Sequence, residues 1–198
     1  MELVLDWDGT VTVEDGLVLV LRRFGDPRLL EELEPRVGVD LTLHEEIALE
    51  FASVTAPLEE VVVWVREHVR VRPGFRELAA LHRPTILSSG FVELIEPVLA
   101  REGVTGLQVQ ANRVEARPDG WRVEWRDEAQ CTECGEACKR GSLPAGEVVY
   151  VGDGYSDRCA ARAAARVFAR DGLARYLDGV GVAYEPFEDF TGLAAALR

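Results

Sequence analysis

Long apolar runs are missing from this 198-residue chain: no segment approaches the roughly 18 apolar residues of a membrane span. The first residues, Met1-Glu2-Leu3-Val4-Leu5-Asp6, carry neither a basic segment nor an extended apolar one. No secretory signal is read there, and a soluble, cytoplasmic protein without membrane contact is expected. Positive charge is scarce. The 22 basic residues face 35 acidic ones, for a formal net charge of -13, which repels phosphate backbones and anionic lipid and argues against nucleic acid as a partner. Lysine is scarcer still, since Lys139 is the only one in the chain. Its survival among arginines points to a place that needs a compact ammonium in preference to a planar fork. Four cysteines are too few for a disulfide scaffold, although three of them crowd into 131–138. The three histidines, His44, His68 and His82, lie in helical patterns without metal-ligand spacing and read as solvated or packed. What the chain has in quantity is apolar side chains, 47%, enough to bury one domain with a small appended one.

The apolar residues are distributed as an α/β pattern. Short runs apolar on both faces, as in buried parallel strands, occur at Leu3–Leu5, Thr85–Leu87 and Val148–Val151, with further candidates at Arg166–Ala169 and Val180–Ala183. Helical spacing fills Phe75–Leu81, Phe91–Arg101, Ser156–Ala164 and Leu173–Leu177 between them. This alternation predicts a doubly wound, mostly parallel sheet of Rossmann-like form. Residues 14–72 break it with four consecutive helical patterns, punctuated by Gly25, Gly38 and Pro57. The expected organisation is a core of 1–13 and 73–198 with a helical cap, 14–72, inserted after the first strand and lying over the strand ends. Around 107–126 two alternating stretches flank the turn Pro118-Asp119-Gly120, which reads as a small antiparallel excursion at the sheet edge, with Trp121 and Trp125 on one face as core packing.

Four short motifs sit where the strands end. Asp6-Trp7-Asp8-Gly9-Thr10 releases two carboxylates from a buried strand into a glycine-containing loop, and such crowding calls for a cation or a shared proton. Gly152-Asp153-Gly154-Tyr155-Ser156-Asp157 would bring further carboxylates to the same edge. An oxygen-only donor set of this kind suits Mg²⁺ working beside a substrate phosphate. Ser88-Ser89-Gly90 reads as a strand end opening a helix, either a plain helix cap or a phosphate site made of a hydroxyl and free amides. Lys139, shortly before the Val148 run, could neutralise an anion at that edge or lie on the surface.

In this order the four motifs resemble those of the haloacid dehalogenase superfamily. The helical insert after the first motif, with Ala111-Asn112-Arg113-Val114, is similar to its phosphoserine-phosphatase-like branch. The resemblance implies a Mg²⁺-dependent phosphatase acting on a small-molecule phosphate monoester. Asp6 would form an aspartyl phosphate, Asp8 would act as acid and base, and Ser88, Ser89, Gly90 and Lys139 would bind the phosphoryl oxygens. Asp6, Asp8 through its main-chain carbonyl, Asp153 and Asp157, the last through water or by orienting Lys139, would serve the metal. An aspartate at position 8 favours hydrolysis over dehalogenation, since a halide leaves without a proton. A cap glutamate of the phosphoserine enzymes is matched near Glu14 and Asp15, but their substrate-carboxylate arginine has no counterpart in Glu45–Ala56. The first motif is more similar to the methionine-salvage enol-phosphate phosphatases, which act on 2-hydroxy-3-keto-5-methylthiopentenyl-1-phosphate. Cys138-Lys139 is similar to a pair in the phosphoethanolamine and phosphocholine phosphatases.

Cys131, Cys134 and Cys138 have the close spacing of thiolate ligands, and Cys159 is a candidate fourth. A structural Zn²⁺, free thiols and a disulfide all remain open for them. Two other functions compete with hydrolysis: a zinc- or thiol-binding interaction module with a vestigial acidic site, and a phosphotransferase. The oligomeric state is not legible from these residues.

Overall fold

The computed structural model describes residues 1–197. Its seven strands are β1 (Glu2–Leu5), β2 (Thr85–Phe91), β3 (Val109–Glu115), β4 (Arg122–Glu124), β5 (Val148–Gly152), β6 (Arg166–Ala169) and β7 (Glu185–Pro186). They form one sheet in the order β4-β3-β2-β1-β5-β6-β7, parallel throughout except for β4, which runs antiparallel to β3 at the edge. The doubly wound α/β fold expected from the alternation is therefore present.

Strand alternation divides the core in two. Leu3, Leu5, Ile86, Val149, Val151 and Phe168 join one apolar cluster together with α5 (Phe75–His82), α6 (Val92–Arg101) and α9 (Phe190–Ala196). Val4, Leu87, Val148, Tyr150 and Val167 join the other, against α7 (Arg158–Ala161) and α8 (Asp171–Val180). Burial on both faces explains why the central strands lack a polar alternation.

Four helices lie between β1 and β2: α1 (Gly16–Phe24), α2 (Arg28–Leu33), α3 (Leu43–Phe51) and α4 (Leu58–His68). The base of this insert is closed by an antiparallel bridge between Thr12 and Val71, with Val13 N–H donating to Arg70 O and Arg72 N–H to Val11 O, each at 2.9 Å. Asp15 caps α1 by accepting from Val18 N–H, and Thr42 and Glu45 form a reciprocal cap on α3.

The β3–β4 hairpin props this insert against the sheet. β4 is only three residues long, and the two tryptophans flank it instead of sharing its face. The Trp121 ring is 1% exposed, lies 6.1 Å from Phe51 of α3, and donates its indole N–H to Ala56 O at 2.9 Å. Trp125 stacks on His44 of the same helix at 3.9 Å.

Three local expectations are corrected. Val180–Ala183 is no strand: the helical spacing of Leu173 and Leu177 carries α8 to Val180, and Gly181 in the left-handed region ends it, so the edge strand is displaced to Glu185–Pro186. The helix expected over 156–164 is a 3₁₀ turn at Tyr155–Asp157 followed by the short α7, because the Asp157 side chain is engaged with the preceding loop. Ser88-Ser89-Gly90 does not open a helix. β2 continues through it to Phe91, with a shift of register against β3. Among the described residues no helix is long and apolar enough to cross a membrane.

Since Trp121 couples insert and sheet, Trp121→Ala is expected to lower stability by about 3–5 kcal/mol in urea denaturation. Trp125→Ala, at a half-buried position, is expected to cost less than half as much. Equal losses would contradict the assignment of Trp121 as the anchor.

Candidate active site

At the end of β1 the backbone makes its last sheet bond, Asp6 N–H to Val151 O at 2.9 Å, and then turns into a loop. Gly9 takes a φ of +74° there, and a Cβ at that position would collide with the Asp153 carboxylate, so both backbone and space require glycine. Thr10 Oγ donates to Asp153 Oδ1 at 2.7 Å, joining this loop to the one after β5. Arg72 donates to Thr10 O at 3.0 Å and Gly9 O at 2.9 Å, which ties the foot of the insert to the same turn.

Beneath the loop, Lys139 is 1% exposed and donates through Nζ to Asp6 Oδ1 at 2.5 Å and Asp157 Oδ1 at 2.7 Å. Asp157 is fully buried and accepts three further hydrogen bonds: from Tyr150 OH at 2.6 Å, Asp153 N–H at 3.0 Å and Gly154 N–H at 2.9 Å. Burial opposes both charges. The Lys139 ammonium nevertheless holds the Asp157 carboxyl below the usual range, and Asp157 and Asp6 raise the lysine pKa. Asp6 is pushed well up, by burial first and then by the charge of Asp157. Asp153 rises to about 6 for the same two reasons.

Asp6, Asp153 and Asp157 each offer an oxygen within 4.8 Å of the others. Three carboxylates against one lysine leave an excess of negative charge, and the donors are all hard oxygens, so the residues fit Mg²⁺. Within the set the oxygens differ in freedom. Both oxygens of Asp157 already accept two hydrogen bonds each, whereas Asp6 and Asp153 each accept a side-chain bond on Oδ1 only.

Asp8 stands beside this group at the mouth of the insert. Its Oδ1 accepts from Gly16 N–H at 2.9 Å, and burial, followed by the charge of Asp15, raises its pKa well above the ordinary value. Opposite it, Ser88 is 1% exposed and its Oγ accepts from Gly90 N–H at 2.8 Å. The register shift in β2, a bulge-like irregularity, turns this segment out of the ladder. Asn112 fixes it from β3, donating to Ser89 O at 2.8 Å while accepting from Arg126 N–H at 3.0 Å, and Arg126 donates to Ser88 O at 3.0 Å.

A cavity of about 260 Å³ joins these groups to the insert. Its floor holds Asp6, Asp8, Ser88, Ser89, Gly90 and Asp153. Its walls hold Leu17, Leu30, Leu43 and Ile47, together with Asp15, Glu34, Glu46 and Glu50. No basic side chain lines it among the described residues. Glu46 and Glu50 are 9% and 5% exposed. Burial, helped by neighbouring carboxylates, pushes them up to about 7 and about 8. Lys139 approaches from the adjoining cavity, whose lining includes Cys134, Cys138, Cys159 and Arg158.

All the carboxylates singled out in the two aspartate motifs thus meet at one edge, with Ser88 and Lys139. The four cysteines also meet, none of them joined in a disulfide, with every sulfur within 4.8 Å of the rest. Several site residues went unread. Tyr150 could have been noticed as the one polar residue in Val148-Val149-Tyr150-Val151. Glu46 and Glu50 are one helical turn apart on the side of α3 that carries Ile47 and Phe51, a polar pair on an apolar face. Glu14, paired with Arg70 at 2.9 Å on the surface, is not in the cavity, whereas Asp15 is. Nothing in the sequence marks Arg72.

Comparison with known proteins accords with this geometry. The family model for haloacid dehalogenase-like hydrolases matches residues 3–162. A protein of Exiguobacterium sibiricum named 2-hydroxy-3-keto-5-methylthiopentenyl-1-phosphate phosphatase is 27% identical over 212 residues, covering 100% of this chain and 96% of that protein. One of the same name from Geobacillus kaustophilus is 24% identical over 208 residues, covering 99% and 94%. Among solved structures, a phospho-aspartyl intermediate analogue of phosphoserine phosphatase superposes with a TM-score of 0.72 at 16% identity, over 98% of this chain and 97% of that one. Phosphoserine phosphatase from T. onnurineus gives 0.69 at 22% identity, over 97% and 91%. These two likenesses establish the shared fold, and the family match, which spans most of the chain with all four motifs inside it, places this protein among the haloacid dehalogenase-like hydrolases.

Proposed function

We propose that the protein is a Mg²⁺-dependent phosphatase that hydrolyses a small organic phosphate monoester through an aspartyl phosphate on Asp6. The observation that carries this reading is the pairing of Asp6, anchored on one oxygen by Lys139, with a pKa-raised Asp8 across the same cavity. Asp6 attacks the phosphorus, and the ester P–O bond breaks with its electron pair passing to the leaving oxygen. Asp8, protonated in its buried setting, gives that oxygen its proton. It then takes a proton from the water that attacks the phosphorus of the acyl phosphate, which frees inorganic phosphate and restores the Asp6 carboxylate. Ser88, the Ser89 amide, the Gly90 amide once it leaves Ser88 Oγ, and Lys139 meet the phosphoryl oxygens. Asp6, Asp153 and the Asp8 main-chain carbonyl would hold Mg²⁺, which when bound offsets the charge that crowds Asp6 and the phosphate. Asp157 acts through Lys139 and the Asp153 loop. Residues 1–13 and 73–198 form the catalytic unit in this reading, and 14–72 a cap that encloses the leaving group.

The cavity wall bears on the substrate. It has apolar leucines and isoleucine, two glutamates poised near neutrality, and no cation to receive a carboxylate, which disfavours phosphoserine. An uncharged hydroxy-ketone with an apolar thioether tail fits such a wall, as in 2-hydroxy-3-keto-5-methylthiopentenyl-1-phosphate, the substrate named for the relatives. The acidic residues favour a second reading, an amine-bearing phosphate monoester. The double change Glu46→Gln with Glu50→Gln separates them: turnover of the enol phosphate is retained within about tenfold, whereas kcat/KM for a cationic substrate falls roughly 100-fold.

Asp6→Asn is expected to reduce phosphate release from p-nitrophenyl phosphate by at least about 1000-fold, and chelation of Mg²⁺ to do so reversibly. Asp8→Asn is expected to slow an alkyl phosphate far more than p-nitrophenyl phosphate, whose leaving group needs no proton. Metal-independent release, or release that survives Asp6→Asn, would overturn the reading.

The wall also predicts a pH dependence of stability. An unfolded glutamate titrates near its ordinary value, while Glu50 in the folded protein titrates near about 8. Between those values the folded state holds the extra proton, so stability falls as pH rises across the window. In denaturation of the metal-free protein, the decline from about pH 5 to about pH 8.5 is expected to be shallower in Glu50→Gln than in the wild type. Equal declines would mean that Glu50 ionises as readily when folded.

A further inference from the structure

Lys139 is held to within hydrogen-bond distance of two carboxylates, yet the segment that delivers it has little to hold it. Between β4 and the 3₁₀ turn at Lys139–Ser142, residues 127–138 contain neither helix nor strand, and none of them is buried. A loop of that length without apolar anchorage should open easily. Three of the four cysteines lie in this loop, and the fourth, Cys159, is buried on α7. Cys138 precedes Lys139, and Cys159 follows Asp157 by two residues, so the cluster flanks both partners of the buried ion pair.

The cluster has the dimensions of a tetrahedral thiolate site. A metal–sulfur length of about 2.3 Å gives a tetrahedron with edges of about 3.8 Å. Cys131 Sγ and Cys159 Sγ are 3.6 Å apart, and all four sulfurs lie within 4.8 Å of one another. None of the four is joined in a disulfide. The local chain is shaped for converging sulfurs. Glu133 N–H donates to Cys131 Sγ at 3.4 Å, and Gly135, at φ +77°, donates its N–H to Cys131 O at 2.8 Å, closing a turn that points Cys131 and Cys134 at one spot. Arg158 and Arg162 line the same cavity as Cys134, Cys138 and Cys159, where they can balance a complex with two net negative charges. Arg158 lies over the rings of Tyr155 and Tyr176, and its Nε is buried without a hydrogen-bond partner among the described residues.

We propose that Cys131, Cys134, Cys138 and Cys159 bind one structural Zn²⁺ that clamps the Lys139 loop to α7. Soft thiolates and a closed four-ligand set select zinc over the hard cation suited to the aspartates. Binding forms four Zn–S bonds and releases the thiol protons to solvent, with no change of oxidation state. The site is separate from phosphate hydrolysis and stands whether or not that reading holds.

The unique lysine supplies the test, because endoproteinase Lys-C can cut this chain only after Lys139. Protein stripped of metal under reducing conditions is titrated with Zn²⁺ against a chromogenic chelator while thiols are counted with Ellman's reagent. One equivalent is expected to bind, all four thiols are expected to lose reactivity together, and Lys-C cleavage is expected to slow by at least about tenfold. Cys134→Ser, at an exposed position, is expected to lower zinc affinity at least about tenfold and restore cleavage, whereas Asp153→Asn retains the metal. Four thiols that stay reactive at saturating zinc would overturn the site. Zinc lost on Asp153→Asn but kept on Cys134→Ser would assign the ion to the aspartates. Zinc bound without protection from Lys-C would overturn the clamp.

Discussion

A single buried ammonium holds the site together. Removing a lysine from water costs several kcal/mol unless its charge is matched at close range, and Lys139 is matched twice, by Asp6 and by Asp157. The dependence is mutual. Asp157 lies fully buried beside Asp153 and Asp6, and without the lysine three carboxylates would face one another at short range in a partly dry pocket. An arginine would spread its charge over a planar fork, whereas the compact ammonium donates to both carboxylates from one atom. That is a physical reason for one lysine to persist in a chain whose other basic side chains are arginine.

The three partners come from the loop after β1, the turn at Lys139–Ser142 and the turn after β5, so the fold must bring them together before the ion pair can form. The parallel sheet does this by topology. β1 and β5 are neighbours, and their carboxyl ends deliver Asp6 and Asp153 to one edge. Asp157 then closes the loop after β5 on itself by accepting two of its amides, and Thr10 bonds that loop to the one after β1. The insert is held at its foot by the Thr12–Val71 bridge and Arg72, and further out by Trp121 and Trp125 against α3 and by α4 packing on α6. Its position over the cavity therefore depends on the loop after β1 and on the β3–β4 hairpin at the sheet edge.

Much of this arrangement was legible because it depends on local pattern. Strand ends followed at once by Asp and Gly are visible in any window, and their chain order placed Asp6, Ser88, Lys139 and Asp153 at one edge. What was not legible depends on partners far away in sequence. The Ser88 segment reads as the start of a helix because nothing local reveals that Asn112 and Arg126 hold it in an extended conformation. Val180–Ala183 reads as a strand because a four-residue apolar run cannot be told from the end of a helix. Glu46 and Glu50 stand out in the sequence only as a polar pair on the apolar face of α3, and their burial becomes visible only when that helix closes over the sheet. Arg72 carries no signal, because its role consists of three carbonyls supplied by a loop some sixty residues earlier.

Floor and wall of the cavity follow opposite electrostatic rules. The floor is ion-paired: Lys139 keeps Asp157 charged despite complete burial, and the oxygens left free on Asp6 and Asp153 retain an appetite for a hard cation. The wall has no cation of its own, so burial acts unopposed and brings Glu46 and Glu50 close to neutrality at ordinary pH. Carboxyls in that state can donate hydrogen bonds as well as accept them, and they can ionise if a ligand brings positive charge. In the proposed reaction, phosphate chemistry would rest on groups at the strand ends together with Lys139. Discrimination among leaving groups would fall to this wall, in which α3 is held by Trp121 and the ion pair by the loops after β1 and β5.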